Sequence, residues 1–509
     1  MRRLLLVCAA TAAITWIEFQ VFPGHTYLEG DTQLYLPMLQ RLDTPGYLSR
    51  DLVATHPNLT FTIYDELTLF LHDGGISFKT ALQGQQVVCR AAAVIGIFLL
   101  ARAAGIGDLW ALLIAALINL GALLPGPRVS LIPREPLPEG FAFSLCILGA
   151  GCLADEKPLL CGLAAGTAFL YDPAIAAVFW IIVLVAFIAD RRLRKLIRPA
   201  LTIFLVFVLL LANLAQLQPG VADFEPLFAR IPMDVARIIA GRTPWAWVSL
   251  WAGREIWIYL AILVCGLAAI TRVWPRLNRA SRWIFLLGPL LGVLSLAFSA
   301  LLIAEFQWWL FPQLQPARWL LYAAEFSMAA AAIAGAQAIH LRRKAEASAW
   351  FLFVLVLIIV PRAVAPQVES IPNRAATADL ARWAEAETWG GSMFQFPDAG
   401  RSLYPGVFRA RSRRPLWVDW KSGEQSDYSS VVARTWKERW DREMQGRFSP
   451  ARLQQSLSLP VDYYVLNKSN RLADIAPVYE NSAFVAYDSR DLRAAAKPLR
   501  PASSLAQRR

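Results

Sequence analysis

Charge is scarce in this chain. Only 17% of its 509 residues are Asp, Glu, Lys or Arg, against roughly 25% in ordinary soluble domains. Hydrophobic residues make up 56% of the sequence, and its mean hydropathy is +0.42. That balance excludes a soluble protein of this size, which could not hide so much apolar surface. Histidine is rarer still, with four copies. His25, His56 and His72 fall in one segment, and their spacing matches no metal motif. The six cysteines, Cys8, Cys89, Cys146, Cys152, Cys161 and Cys265, lie in or beside apolar runs. They form neither a disulfide framework nor a paired-thiol site. The sequence also has no Gly-rich phosphate loop, no dinucleotide fingerprint, no nucleophile elbow and no internal repeat. A nucleotide-driven pump is thereby disfavoured.

What the sequence has instead is long apolar runs. A helix crossing the hydrocarbon needs roughly 20 apolar residues. Candidate spans are Leu4–Val21, Gln83–Ala104, Leu109–Leu124, Phe141–Leu153, Leu159–Tyr171, Ala174–Ala189, Leu201–Leu217, Ile256–Ile270, Trp283–Ile303, Trp319–Ile339 and Trp350–Val364. The expected fold is therefore mainly α, a polytopic transmembrane bundle of about 11 helices over 1–366. The first run follows Arg2 and Arg3 and reaches spanning length, with no clear cleavage site, so it reads as a retained anchor.

The net charge of +12 is distributed as topology. Basic residues crowd short connections: Arg191-Arg192-Leu193-Arg194-Lys195, then Arg272, Arg276, Arg279 and Arg282, then Arg342-Arg343-Lys344. With Arg2 and Arg3 inside, these loops follow the sixth, eighth and tenth of eleven spans and so fall on the cytoplasmic side. The same count puts the segment after residue 366 outside, which in a bacterium is the periplasmic face of the inner membrane. Nineteen tryptophans suit membrane interfaces. Nucleic acid is not an expected partner.

Residues 367–497 have a different composition and read as a small α/β extramembrane domain. Thr377–Trp389 and Ser426–Gln445 look helical. Ser392–Phe396, Leu416–Asp419, Val461–Asn467 and Val478–Tyr487 read as strands, the last bent into a hairpin near Glu480-Asn481-Ser482. Residues 498–509, with two prolines and a basic end, read as a disordered tail.

Chemistry-bearing residues gather on the expected outer face. The first outer loop, 22–80, carries Glu29-Gly30-Asp31-Thr32-Gln33-Leu34-Tyr35, then Leu48-Ser49-Arg50-Asp51. A carboxylate here either caps a surface helix, as Asp31 would, or serves as a general base or a divalent-cation ligand. Pro125-Gly126-Pro127-Arg128 through Arg134-Glu135-Pro136 forms another outer loop, in which Arg128 and Arg134 are either ordinary loop charges or phosphate ligands. Asp172, in Tyr171-Asp172-Pro173, either faces a wet cavity or caps the next helix. Gln315-Pro316-Ala317-Arg318 stands at the outer start of a span, with Glu325 about two turns deeper.

This pattern resembles the GT-C class of polytopic membrane glycosyltransferases, in an uncharacterised bacterial branch. The resemblance lies in Gly30-Asp31 with Tyr35, in Tyr47-Leu48-Ser49-Arg50-Asp51, and in Gln315-Pro316-Ala317-Arg318. It extends to Arg413-Arg414-Pro415-Leu416-Trp417-Val418-Asp419-Trp420-Lys421 and Val461-Asp462-Tyr463-Tyr464-Val465-Leu466. Asp172 departs from the His-Pro pair that such proteins often carry. The resemblance implies inverting transfer of a sugar from a polyprenyl-phosphate donor to a glycan, lipid or protein acceptor in the cell envelope. It implies Asp31 or Asp51 as base, Arg128, Arg134, Arg318 and Gln315 at the donor phosphate, and Tyr35, Asp172 and Glu325 lining the cavity. The resemblance fixes no cofactor, and a divalent cation is compatible with the acidic loop. The competing reading is a non-enzymatic transporter or flippase, which calls for paired ionisable groups at mid-membrane.

Overall fold

The computed structural model describes residues 2–58, 62–217, 225–364 and 373–495. The expected tail, 498–509, lies outside them. From the N-terminus run α1 (Arg2–Gln20), α2 (Thr32–Asp43), α3 (Ile63–Asp73), α4 (Phe78–Ala103) and α5 (Asp108–Ile118). A two-stranded hairpin follows, β1 (Leu123–Leu124) and β2 (Val129–Ser130). Next come α6 (Pro138–Ala154), α7 (Pro158–Tyr171), α8 (Pro173–Ala189), α9 (Arg194–Leu217), α10 (Met233–Arg242), α11 (Gly253–Val273) and α12 (Arg279–Leu301). The bundle ends with α13 (Leu310–Leu314), α14 (Leu320–His340) and α15 (Lys344–Val364). Six helices are long and apolar enough to cross a membrane, and five shorter apolar helices accompany them. Each expected span has its helix, and the chain is an integral membrane protein. The expected span Leu109–Leu124 is too long, because α5 stops at Ile118 and Gly121 turns the chain with φ +69° into the hairpin.

The helix α14 is the bundle's centre, buried along nearly its whole length. Its alanine-rich surface lets neighbours approach closely. Gly292 of α12 lies against the Ala323 backbone, and Gly266 of α11 lies against Ser327.

The three basic connections meet at one end of the bundle. Arg279 pairs with Asp190 at 3.3 Å, and Arg272 pairs with Glu346 at 2.5 Å. Asn278 Nδ2 donates to the Ala154 carbonyl at 2.6 Å, which adds the α6–α7 connection to the same end. The connections α1–α4, α5–α6, α9–α11 and α12–α14 occupy the other end, together with the C-terminal segment.

That segment contains α16 (Arg374–Glu387), β3 (Phe394–Gln395), α17 (Tyr404–Ser412), α18 (Ser430–Met444), α19 (Pro450–Ser456), β4 (Tyr463–Asn467), β5 (Tyr479–Glu480), β6 (Phe484–Asp488) and α20 (Ser489–Ala494). The sheet order is β3-β4-β6-β5, with β3 parallel to β4 and the other pairs antiparallel. The expected strand Leu416–Asp419 is not one. Only Leu416 bridges to Phe394, and the chain then turns through a 3₁₀ segment, Lys421–Asp427.

The segment is bolted to the first loop. Arg409, 1% exposed, pairs with Asp419 at 3.1 Å, stands 3.8 Å from Asp51 and donates to the Gln33 carbonyl at 3.1 Å. Gln40 Nε2 donates to the Ala410 carbonyl at 2.9 Å. One hydrophobic core runs unbroken from the bundle through α2 into Phe394 and Phe408.

Candidate active site

A cavity of about 770 Å³ sits where the first loop, the hairpin, the α9–α11 and α12–α14 connections and the C-terminal segment converge. Asp31, Tyr35, Arg128, Arg134, Gln315 and Arg318 all line it. These six come from three separate stretches of sequence, so only the fold brings them together.

Asp31 is placed by a carboxylate far away in sequence. Glu135 Oε1 accepts from the amides of Glu29 at 2.5 Å and Gly30 at 2.8 Å, and from Thr32 Oγ1 at 2.9 Å. Its Oε2 accepts from the Thr32 amide at 3.1 Å. A Cβ on residue 30 would stand 3.0 Å from Glu135 Oε2, so glycine is what lets the loop close on that carboxylate. Asp31 then occupies the N-cap position of α2, yet its side chain makes no cap hydrogen bond. It turns instead to Lys421, whose Nζ lies 2.5 Å from Asp31 Oδ1 and 2.5 Å from Glu424 Oε2. Two carboxylates thus share one buried ammonium.

The electrostatics of this set follow from burial and pairing. Burial works against the charged form of Asp31, but the Lys421 charge and hydrogen bond, helped by Arg318, outweigh it and hold the carboxyl below the usual range. Glu424 moves the other way: burial and the charge of Asp31 push it up despite Lys421. Burial raises Asp427 to about 8 although Thr243 Oγ1 and Gln315 Nε2 each donate to it at 3.1 Å. The site therefore holds carboxyl groups with separated proton affinities.

The cations differ in the same way. Arg318 is committed to Glu139 at 2.5 Å. Arg128, at the hairpin tip with φ +55°, is exposed and lies 5.5 Å from the Trp245 ring centre. Arg134 is exposed as well. Arg362 at the end of α15 spends its donors on the Leu120, Gly121 and Ile358 carbonyls and lies close enough to Arg134 for their charges to repel. Among the described residues no carboxylate pairs with Arg128, Arg134 or Arg362. Acids line the cavity too, but they pair with other cations, Lys421 and Arg318 among them, or accept from neutral donors, so these three arginines leave positive charge that favours an anion beside them. Phe22, Pro23, Leu123 and Ile132 line the cavity too, and Phe22 is 41% exposed beside Val21 at 73%. Apolar wall and cationic wall are thus parts of one space.

Three expected residues do not line this cavity. Asp51 is fully buried. Its Oδ1 accepts from the Val53 and Ala54 amides, and its Oδ2 from the Leu416 amide at 3.0 Å. With its oxygens so engaged, and Arg409 beside it, it acts as a brace. Asp172 caps α8, accepting from the Ile175 amide at 3.0 Å. Glu325 is 3% exposed within α14. Conversely, Lys421, Glu424, Asp427, Glu135, Glu139 and Arg362 were not singled out as site residues. Lys421 closes the segment that resembles the GT-C tail, and Glu135 adjoins Arg134. Nothing local distinguishes Glu424 or Asp427 from solvated helix acids. No group of three His, Cys, Asp or Glu suited to a metal ion occurs among the described residues.

No family model matches the chain, and no curated protein matches it. Among solved structures it is similar to ArnT from Cupriavidus metallidurans bound to undecaprenyl phosphate, with 12% identity, 98% of this chain and 99% of that chain covered, and a TM-score of 0.40. The apo state of that protein gives 10% identity, 97% and 99% coverage and a TM-score of 0.35. The arabinofuranosyltransferase AftD from Mycobacteria gives 14% identity and a TM-score of 0.44, with 96% of this chain and 42% of that chain covered.

Proposed function

We propose that the chain is an inverting glycosyltransferase that moves a sugar from a polyprenyl-phosphate donor to an acceptor hydroxyl at the periplasmic face of a bacterial inner membrane. The observation that carries this reading is the cavity itself, where an ion-paired carboxylate, Asp31, shares one space with arginines that have no acid partner among the described residues. The GT-C resemblance of the sequence supports it.

The donor's tail stays in lipid beside Val21 and Phe22, and its phosphate meets Arg128 and Arg134, with Arg362 held behind them on backbone carbonyls as a further positive charge. Asp31 accepts the proton of the acceptor hydroxyl. The hydroxyl oxygen attacks the anomeric carbon from the face opposite the phosphate, and the polyprenyl phosphate departs with the bonding electrons. Its growing negative charge is met by fixed cations. One displacement inverts the anomeric centre. Lys421 keeps Asp31 ionised before attack, and Glu424 shares the ammonium as charge moves. Arg318, held by Glu139, orients this carboxylate set. The basic end of the bundle faces the cytoplasm and the cavity end faces out.

Asp31→Asn tests the assignment. Transfer falls by about 10²–10⁴-fold, the range for a lost general base, while expression and membrane insertion are retained. Full activity in that variant overturns the role. Undecaprenyl phosphate, the lipid bound by the similar Cupriavidus protein, is a suitable probe of the donor site. Its binding weakens in Arg128→Ala with Arg134→Ala.

A further inference from the structure

A second cavity, of about 460 Å³, lies between α10, α18 and the turn before Lys421. Three tryptophans gather on it. Trp420 and Trp440 stand 5.0 Å apart between ring centres, Trp436 and Trp440 5.4 Å, and Trp420 and Trp436 6.0 Å. Trp436 is buried, but Trp420 and Trp440 stay half-buried on the wall.

Beside Ile238 and Met444, the rest of the lining carries polar and charged side chains. Lys437 pairs with Asp441 at 2.5 Å, and Gln445 also donates to Asp441. Arg401 lies 4.6 Å from the Trp420 ring centre. Arg237 donates only to the Met233 sulfur at 3.2 Å. Among the described residues neither Arg237 nor Arg401 has a carboxylate partner. Arg242 at 3.5 Å and Arg401 at 4.6 Å already lie over the Trp420 ring. The half-buried Trp440 ring, bordered by guanidinium, amide and carboxylate groups, is the indole that matches a pyranose ring, with the sugar's C–H face on it and its hydroxyls on the polar rim. A lipid tail would find too many charges here. The two arginines without acid partners select a sugar that carries an acid.

The cleft shares a wall with the candidate active site. Arg242 and Trp420 line the cleft, while their neighbours Thr243 and Lys421 line the larger cavity. Arg242 bridges the wall: its Nη2 donates to the Trp420 carbonyl at 2.7 Å and stands 3.8 Å from Glu424 Oε1. We propose that the tryptophan cleft is the acceptor subsite, holding an acidic saccharide chain whose terminal hydroxyl extends to Asp31. This inference rests on the sugar-transfer reading and names its acceptor class.

The test uses the full chain purified in detergent, with uronic-acid-bearing oligosaccharides and their neutral counterparts as probes. Tryptophan fluorescence and calorimetry follow binding. The acidic series binds, and Trp440→Ala and Arg401→Ala each weaken it about tenfold, the effect of one lost stacking or charged contact. Trp440→Phe retains most of the affinity, which separates stacking from misfolding. No binding of the acidic series by the wild-type chain, or undiminished binding by Trp440→Ala, overturns the proposal. Undecaprenyl phosphate binding is measured in the same preparation. Its absence counts against the donor site and leaves the saccharide result standing, so the two failures are distinguishable.

Discussion

At the residue scale, the site depends on how a few carboxylates are held. Glu135 satisfies four donors around Gly30 and Thr32, and so fixes where Asp31 points. Glu135→Ala leaves those amides without a partner and should cut transfer by tenfold or more, with Asp31 intact. Activity equal to wild type would show that the turn holds itself. Asp427 carries a pH dependence. Its carboxyl is raised to about 8 in the folded chain, above the ordinary 3.8, so the folded state holds the proton more tightly. Stability then declines as pH rises from about 4 to 8 and levels off above. Asp427→Asn should remove this decline in thermal unfolding measured in detergent between pH 6 and 9. Asp31 has the opposite sign: its pairing with Lys421 stabilises above the ordinary carboxyl pKa and is lost only in strong acid.

At the element scale, the hairpin and the C-terminal turn deliver residues that the helices cannot. Gly126 at the hairpin tip has φ +83°, and a Cβ there would meet the Trp251 ring at 2.8 Å. Gly126→Val should displace Arg128 and raise the donor KM more than it lowers kcat. An unchanged KM would remove Arg128 from the donor site. Pro125, Gly126 and Pro127 marked a loop in the sequence, but the helix before it already ends at Ile118. The sequence did not reveal the strand pairing, because two-residue strands leave no periodicity. The helices α17, α19 and α20 were missed for a related reason: they are short and held by tertiary packing. Asp51 shows the converse. Its position in an acidic loop suggested chemistry, but it lies outside the cavity, buried against Leu416 and Arg409, and we propose a structural role for it. Asp51→Ala should cost about 3–5 kcal/mol of stability, as for one partner removed from a buried pair. A stable but inactive Asp51→Ala chain would restore it to the mechanism.

At the scale of the whole molecule, the helices were readable because span length and loop charge are strong, local signals. The site was half readable. Asp31, Arg128, Arg134 and Arg318, which the cavity brings together, each stand in a polar break between apolar runs. Lys421 and Asp427 could not be found this way, because Asp31, Thr243 and Gln315, which they meet, lie 390, 184 and 112 positions away and only the packing of the C-terminal segment joins them; Glu424 enters through Lys421. The same fold sets an orientation to be tested. A cysteine at exposed Arg382 should react with an impermeant thiol reagent in intact spheroplasts, and one at exposed Arg342 should not. The reverse pattern would invert the topology.

The central claim is lipid-linked sugar transfer at the Asp31 cavity. The most direct measurement incubates purified wild-type and Asp31→Asn chains with polyprenyl-phosphate sugars and envelope extract, following release of free polyprenyl phosphate. The account predicts release of one donor's lipid by the wild-type chain, with a new glycosidic bond in the extract, and near-background release by Asp31→Asn. Equal release by both chains, or none from any donor with the wild-type chain, would contradict it.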